Sequence, residues 1–155
     1  MAISAAMVKE LRERTGLGMM DCKKALAEAG GDMDQAIEDL RKKSSLKAAK
    51  KAGRTAANGL LGVKSSEDGT RIALVEVNIE TDFAAKNEKF VAFVSRVAQA
   101  LFDSGDMDSV TQTLNAERET LVQEIGENMA IRRGAIVESA SGGLSYYMHG
   151  DQRRG

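Results

Sequence analysis

The sequence predicts an α+β fold, with a bundle of three short helices followed by an antiparallel sheet that a helical hairpin covers on one face. Three observations carry this prediction. Residues 5–40 hold three stretches of helical apolar spacing, cut at Thr15-Gly16 and at Gly30-Gly31. Residues 71–79 form a β-branched, nearly continuous apolar run that follows an Asp68-Gly69 turn signal. Phe90, Phe93, Val94, Val97, Ala98 and Leu101 are then spaced 3, 1, 3, 1 and 3 apart, which marks a helix buried along one side. A chain of 155 residues accommodates one ordinary domain or two small ones. Two are expected: a three-helix unit with a basic linker helix over residues 1–54, and an α+β unit over residues 55–155.

Taken in order, Ser4 is placed to cap the first helix, whose stripe is Met7, Val8 and Leu11, and Gly16 suits its left-handed C-terminal position. Asp21 is expected to start the second helix, with Cys22, Ala25, Leu26 and Ala29 inward. Asp32 caps the third, with Gln35 three positions on as a variant capping box, and Ala36, Ile37 and Leu40 supply its inner side. Helices this short must pack together to be stable, and their pattern resembles the ubiquitin-associated fold. Leu60, Leu61 and Val63 begin the first strand, and Ile72, Leu74, Val75 and Val77 form a returning strand with the apolar character of a central position. After the helix of Phe90 to Leu101, Gly105 punctuates, and Leu114, Leu121, Val122 and Ile125 share a face of the second hairpin helix. Residues 129–137 read as a third strand and residues 144–149 as a fourth, with a turn at Ser141-Gly142-Gly143 between them.

Composition narrows the chemistry. Charge is balanced, with 22 basic against 23 acidic residues, and gives no global attraction to nucleic acid or an anionic membrane. One cysteine, Cys22, excludes an internal disulfide and a cysteine-rich metal site, and one histidine leaves little scope for zinc. No apolar stretch approaches the ~18 residues of a membrane span, and the N-terminus lacks the basic and apolar blocks of a secretory signal. Without a phosphate-binding Gly-x4-Gly-Lys-Ser/Thr loop, the chain is not expected to bind nucleotide itself, and no cofactor is expected. Residues 41–54 carry seven basic and no acidic residues. The run reads as a solvated helical linker or as a phosphate-binding surface for RNA, although it has no aromatic for base stacking. A ubiquitin-type interaction module built on residues 4–53 is a further reading. No nucleophile–base pair is visible, so the protein is not expected to be an enzyme.

The most telling stretch is Val77-Asn78-Ile79-Glu80-Thr81-Asp82-Phe83. A strand pattern stops at Thr81-Asp82, either of which can cap a helix, and Phe83 falls in the first turn beyond. Taken alone, such a Phe is ordinarily a core residue or a hydrophobic staple, yet it can also point off the helix end. Two further runs bear on the choice: Arg12-Glu13-Arg14-Thr15-Gly16-Leu17-Gly18-Met19-Met20-Asp21-Cys22-Lys23-Lys24-Ala25-Leu26 and Ile125-Gly126-Glu127-Asn128-Met129-Ala130-Ile131-Arg132-Arg133. Met19 and Met20, being adjacent, cannot both face one core, so at least one is expected on the surface as an adaptable contact.

Together with Thr81-Asp82-Phe83, these runs closely resemble translation elongation factor Ts over residues 4–150. The resemblance implies a cytoplasmic, bacterial-type guanine-nucleotide exchange factor for elongation factor Tu, with no cofactor and no direct binding of nucleotide, nucleic acid or membrane. It implies that Thr81, Asp82, Phe83 and Ala84 disturb the partner's Mg²⁺ and phosphate site, Phe83 entering a pocket between helices. Leu17, Met19 and Met20 would anchor against the partner's nucleotide domain, Ile125 and Gly126 would add contact, and His149, in Tyr147-Met148-His149-Gly150, would touch that domain's edge. Ala84 departs from the family, which usually has Val there. Longer members continue past the His-Gly segment, so the chain is expected to be incomplete at its C-terminus. Shorter members pair two protomers, which implies a homodimer as one arrangement and leaves the final strand's edge open to self-association.

Overall fold

A computed structural model describes residues 2–155. The order is α1 (Ala5–Thr15), α2 (Met19–Glu28), α3 (Met33–Lys51), β1 (Asn58–Ser65), β2 (Arg71–Ile79), α4 (Asp82–Ala85), α5 (Glu88–Ser104), α6 (Met107–Ile125) and β3 (Met129–Glu138). The mixed helical and antiparallel architecture is the one the sequence predicts.

Capping chemistry sets the helix ends. Ser4 and Asp32 accept from the backbone N–H groups of Met7 and Gln35. The Gln35 side chain turns instead to Asp39, so the capping box is only half made. The second helix begins at Met19, two residues before the expected Asp21, because Gly18 adopts the extended capping conformation and the Gly18 carbonyl accepts from Cys22 N–H. Val8, Leu11, Leu17, Cys22, Ala25, Leu26, Ala36 and Leu40 close a first core among α1–α3.

The third helix does not stop at Leu40. It continues through the basic run to Lys51, where Ser44 and Ala48 are buried. The Ser44 hydroxyl donates to the Gln123 side chain of α6, and Ala48 joins the second core. Four of the seven cations in residues 41–54 have protein partners: Lys42 with Glu38, Lys43 with Glu28, Arg54 with Glu80, and Lys51 with the Gly126 carbonyl.

The sheet has the order β1-β2-β3, so β2 is central as expected. Its β1 register pairs Leu60 with Val77 and Gly62 with Val75. Helix α5 lies across one face. At Gly62 an added Cβ would stand 2.7 Å from Val94 Cγ1, so glycine is what allows the helix to approach this closely. Phe90, Phe93, Val97 and Ala98 have no exposed surface and fill the space between α5 and the sheet. On the β3 side the ladder slips between Glu76 and Val77, which leaves Arg132 as the extra residue. Arg132 and Arg133 both reach the Glu76 carboxylate, Arg133 Nε at 2.7 Å and Arg132 Nε at 3.8 Å.

The expected fourth strand does not form. Residues 144–149 are irregular, held at one end by Leu144 N–H on the Gly69 carbonyl. Beyond them the chain meets the outer edge of β1 through a single backbone bond, Leu61 N–H to the Gln152 carbonyl at 2.7 Å. Leu144-Ser145-Tyr146-Tyr147-Met148 does not alternate cleanly, and glycines flank it on both sides, so nothing in it specifies a register.

Candidate functional site

At the end of β2, Thr81 is extended (φ −123°, ψ 156°) and its hydroxyl accepts from Ala84 N–H at 3.2 Å, which caps α4. That helix is one turn long. Asn87 returns the backbone to an extended conformation (ψ 130°) and caps α5 through Lys89 N–H. The break decides where Phe83 goes. In a continuous helix Phe83 and Phe90, seven residues apart, would lie on one face. Interrupted at Asn87, α4 turns Phe83 outward at 85% exposure while Phe90 stays fully buried. Ala84 and Ala85 face inward. Ala84 is therefore a packing side chain, and the exposed face of the turn is carried by Asp82 and Phe83.

The loop between α1 and α2 forms a second exposed apolar point. Gly16 ends α1 in the left-handed region (φ 71°). An added Cβ there would lie 2.8 Å from Glu124 Oε1, so the loop sits directly on the last turn of α6. Leu17 is buried and supports the loop from beneath, whereas Met19 and Met20 are 58% and 75% exposed. Glu124 also takes a salt bridge from Lys89 of α5 at 2.8 Å. Ile125 packs at the margin of the second core, and Gly126 (φ 83°) ends α6 with its N–H on the Val122 carbonyl.

Both exposed segments thus adjoin the C-terminal end of α6, residues far apart in the chain. One side of that end carries the 16–20 loop through Glu124. The other carries α4 through Glu127, whose carboxylate accepts from Thr81 N–H and from the Thr81 hydroxyl, each at 2.8 Å. Next to it Glu80 accepts from Asn128 N–H at 2.7 Å, and Asn128 Nδ2 donates to the Arg54 carbonyl at 2.8 Å. Glu80, Glu124 and Glu127 escaped the sequence reading as site residues. For Glu127 the one available signal is its position between a helix-ending glycine and a strand start.

His149 lies elsewhere, half exposed, with Nδ1 3.6 Å from Asp151 and its ring edge-on to Tyr147. The Arg153 backbone N–H on the Asp151 carboxylate holds the Asp151 pKa below its ordinary value. The turn after His149 borders α4 across an open cleft of about 500 Å³, lined by Asp82, Ala85, Lys86, Val91 and residues 150–153. Among the described residues no cluster of His, Cys, Asp or Glu is arranged to hold a metal ion, and no helix is long and apolar enough to cross a membrane.

Phe83 and the Met19-Met20 pair are thus exposed apolar points on either side of the end of α6. Comparison with known proteins bears on the family of the chain. The family model described as Elongation factor TS matches residues 80–155. Curated proteins named elongation factor Ts match nearly the whole chain. That of Saccharophagus degradans is 53% identical over 99% of this chain and 54% of its own length. That of Hahella chejuensis is 55% identical over 98% and 54%, and that of Arthrospira platensis 51% identical over 96% and 64%. The chain spans roughly half to two thirds of the length of these relatives; by this likeness along nearly all of its residues, it belongs to the elongation factor Ts family.

Proposed function

We propose that the chain is a guanine-nucleotide exchange factor, acting in the cytoplasm during translation elongation, that binds elongation factor Tu with GDP and promotes GDP release. A GTPase grips its nucleotide through a phosphate loop and a bridging Mg²⁺. Factor and nucleotide weaken each other's binding by the same ratio, because the coupling is reciprocal. Strong coupling calls for a rigid group that separates elements the nucleotide holds together. Phe83 is the group proposed for that work, entering a pocket of the partner and disturbing its Mg²⁺ and phosphate site, with Asp82 beside it. Met19 and Met20 anchor the complex. No covalent chemistry is involved.

The observation that carries this reading is the exposure of Phe83, 85% in a chain whose Phe90 and Phe93 are fully buried. An aromatic held on a capped turn and contributing nothing to the core supports its reading as a contact residue. The test is release of labelled GDP from elongation factor Tu with and without this chain. Faster release in its presence supports the reading, and an unchanged rate removes it.

A further inference from the structure

A wedge must be aimed as well as exposed, and α4 has little to aim it. It is four residues long, too short to be stable alone. Only Ala84 and Ala85 anchor it, both small, and the exposed Phe83 adds no packing. Beyond those two small side chains, α4 is held by a chain of hydrogen bonds. The Thr81 hydroxyl has one proton, given to Glu127 Oε2 at 2.8 Å, and its oxygen accepts from Ala84 N–H at 3.2 Å. The other Glu127 oxygen takes Thr81 N–H. The carboxylate therefore fixes both the backbone of the capping residue and the rotation of its hydroxyl, through charge-assisted bonds.

Glu127 is itself well held. It lies between Gly126, whose carbonyl accepts from Lys51 Nζ at 3.0 Å, and Asn128, whose N–H is bound by Glu80. The bonds are reciprocal: Glu80 takes the N–H of Asn128, just before β3, and Glu127 takes that of Thr81, two residues past β2. They extend by side chains the ladder that ends at Ile79 and Met129. We infer that Glu127 is a positioning residue for the exchange reaction: its carboxylate fork on Thr81 fixes the orientation of α4 and so the direction in which Phe83 is presented to the partner. The inference rests on the exchange reading, and it assigns to Glu127 no contact with the partner.

Removing the fork leaves Thr81 able to cap α4 but lets the turn sample other orientations. Apparent activity then scales with the fraction of time Phe83 is correctly aimed. The experiment compares Glu127→Ala and Glu127→Gln, each with Phe83 present and in a Phe83→Ala background, using labelled GDP release from elongation factor Tu and the Thr81 amide resonance in an NMR spectrum of the full chain. With Phe83 present, Glu127→Ala should slow stimulated release by about tenfold and move the Thr81 amide, the rest of the spectrum remaining dispersed. In the Phe83→Ala background the same change should cost about twofold or less, because the two residues act as one unit. Glu127→Gln keeps the side-chain volume and one acceptor oxygen, and should fall between. Equal losses in both backgrounds would show that Glu127 touches the partner or merely supports folding, and would overturn the inference. So would normal release by Glu127→Ala. A wild-type chain that does not stimulate release would instead sink the exchange reading, and this inference with it.

Discussion

Two phenylalanines seven positions apart meet opposite fates. Phe90 has no exposed surface and Phe83 is 85% exposed, and the difference lies in the backbone at Asn87. Phe90→Ala would leave a cavity between α5 and the sheet and should cost about 3–5 kcal/mol of stability. Phe83→Ala should change stability by no more than about 0.5 kcal/mol, as for other surface positions. Urea unfolding of the two variants checks the contrast; a comparable loss in both would place Phe83 in the core. Met20 has the same character as Phe83, a large apolar side chain 75% exposed at the start of α2. Met20→Asp should leave the fold intact and weaken the complex with elongation factor Tu mainly through faster dissociation, by about tenfold. Binding kinetics unaltered by that change would remove the 16–20 loop from the interface. The turn at Thr81-Asp82-Phe83 was legible in the sequence because a strand pattern, a cap and an aromatic sit side by side, but those residues alone favour a buried Phe83, and the exposed alternative gained weight only from the resemblance to elongation factor Ts. Glu127 was not legible, because its bonds to Thr81 span 46 residues and no local pattern encodes them.

Among the elements, α5 was readable from apolar spacing alone, since burial along one side imposes the 3-and-4 rhythm. The interruption before it was not readable. Phe83 and Phe90 stand seven residues apart, which a single helix would place on one face, and only the polar turn between them, Lys86 and the capping residue Asn87, hints that two helices meet there. The fourth strand failed for the opposite reason: β-favouring residues are present in 144–149, but they form no ladder, and the backbone bond to the edge of β1 comes from Gln152 beyond them. Elements that do form depend on particular turns. Gly16→Ala would meet both an unfavourable φ and the Glu124 carboxylate, and should destabilise the chain by roughly 1 kcal/mol or more while lifting the methionine loop. Thermal unfolding together with affinity for elongation factor Tu reads both effects. In the β1–β2 hairpin, the Asp68 carboxylate accepts from the hydroxyls of Thr70 and Ser66 and from Thr70 N–H, which holds its pKa below the usual aspartate value. The sign follows directly: the stabilisation is present above the unfolded-state pKa and is lost as pH falls through the lowered folded-state value. Hydrogen exchange at Thr70 should therefore lose protection only at pH below the ordinary aspartate range, and Asp68→Asn should abolish that pH dependence.

Across the whole molecule, α3 is the member common to both cores, with Leu40 in the first and Ala48 in the second. The second half of α3 docks on α6 through Ser44 and joins the second core through Ala48, which packs the helical bundle against the α+β unit. Heating should unfold the chain in a single transition, and Ala48→Asp, which buries a charge at that junction, should separate the melting of the helical bundle from that of the sheet. Two well-resolved transitions in the wild type would mean that the units are not coupled through α3. A rigid platform matters because energy spent on the partner must not be lost in bending the factor. The central claim is that Phe83, so presented, drives nucleotide release. It is tested most directly by the rate of labelled GDP release from elongation factor Tu with Phe83→Ala, expressed per folded molecule. The account predicts a loss of tenfold or more, about 1.4 kcal/mol of coupling, with the variant's stability unchanged. Release at the wild-type rate by a folded Phe83→Ala chain would contradict it.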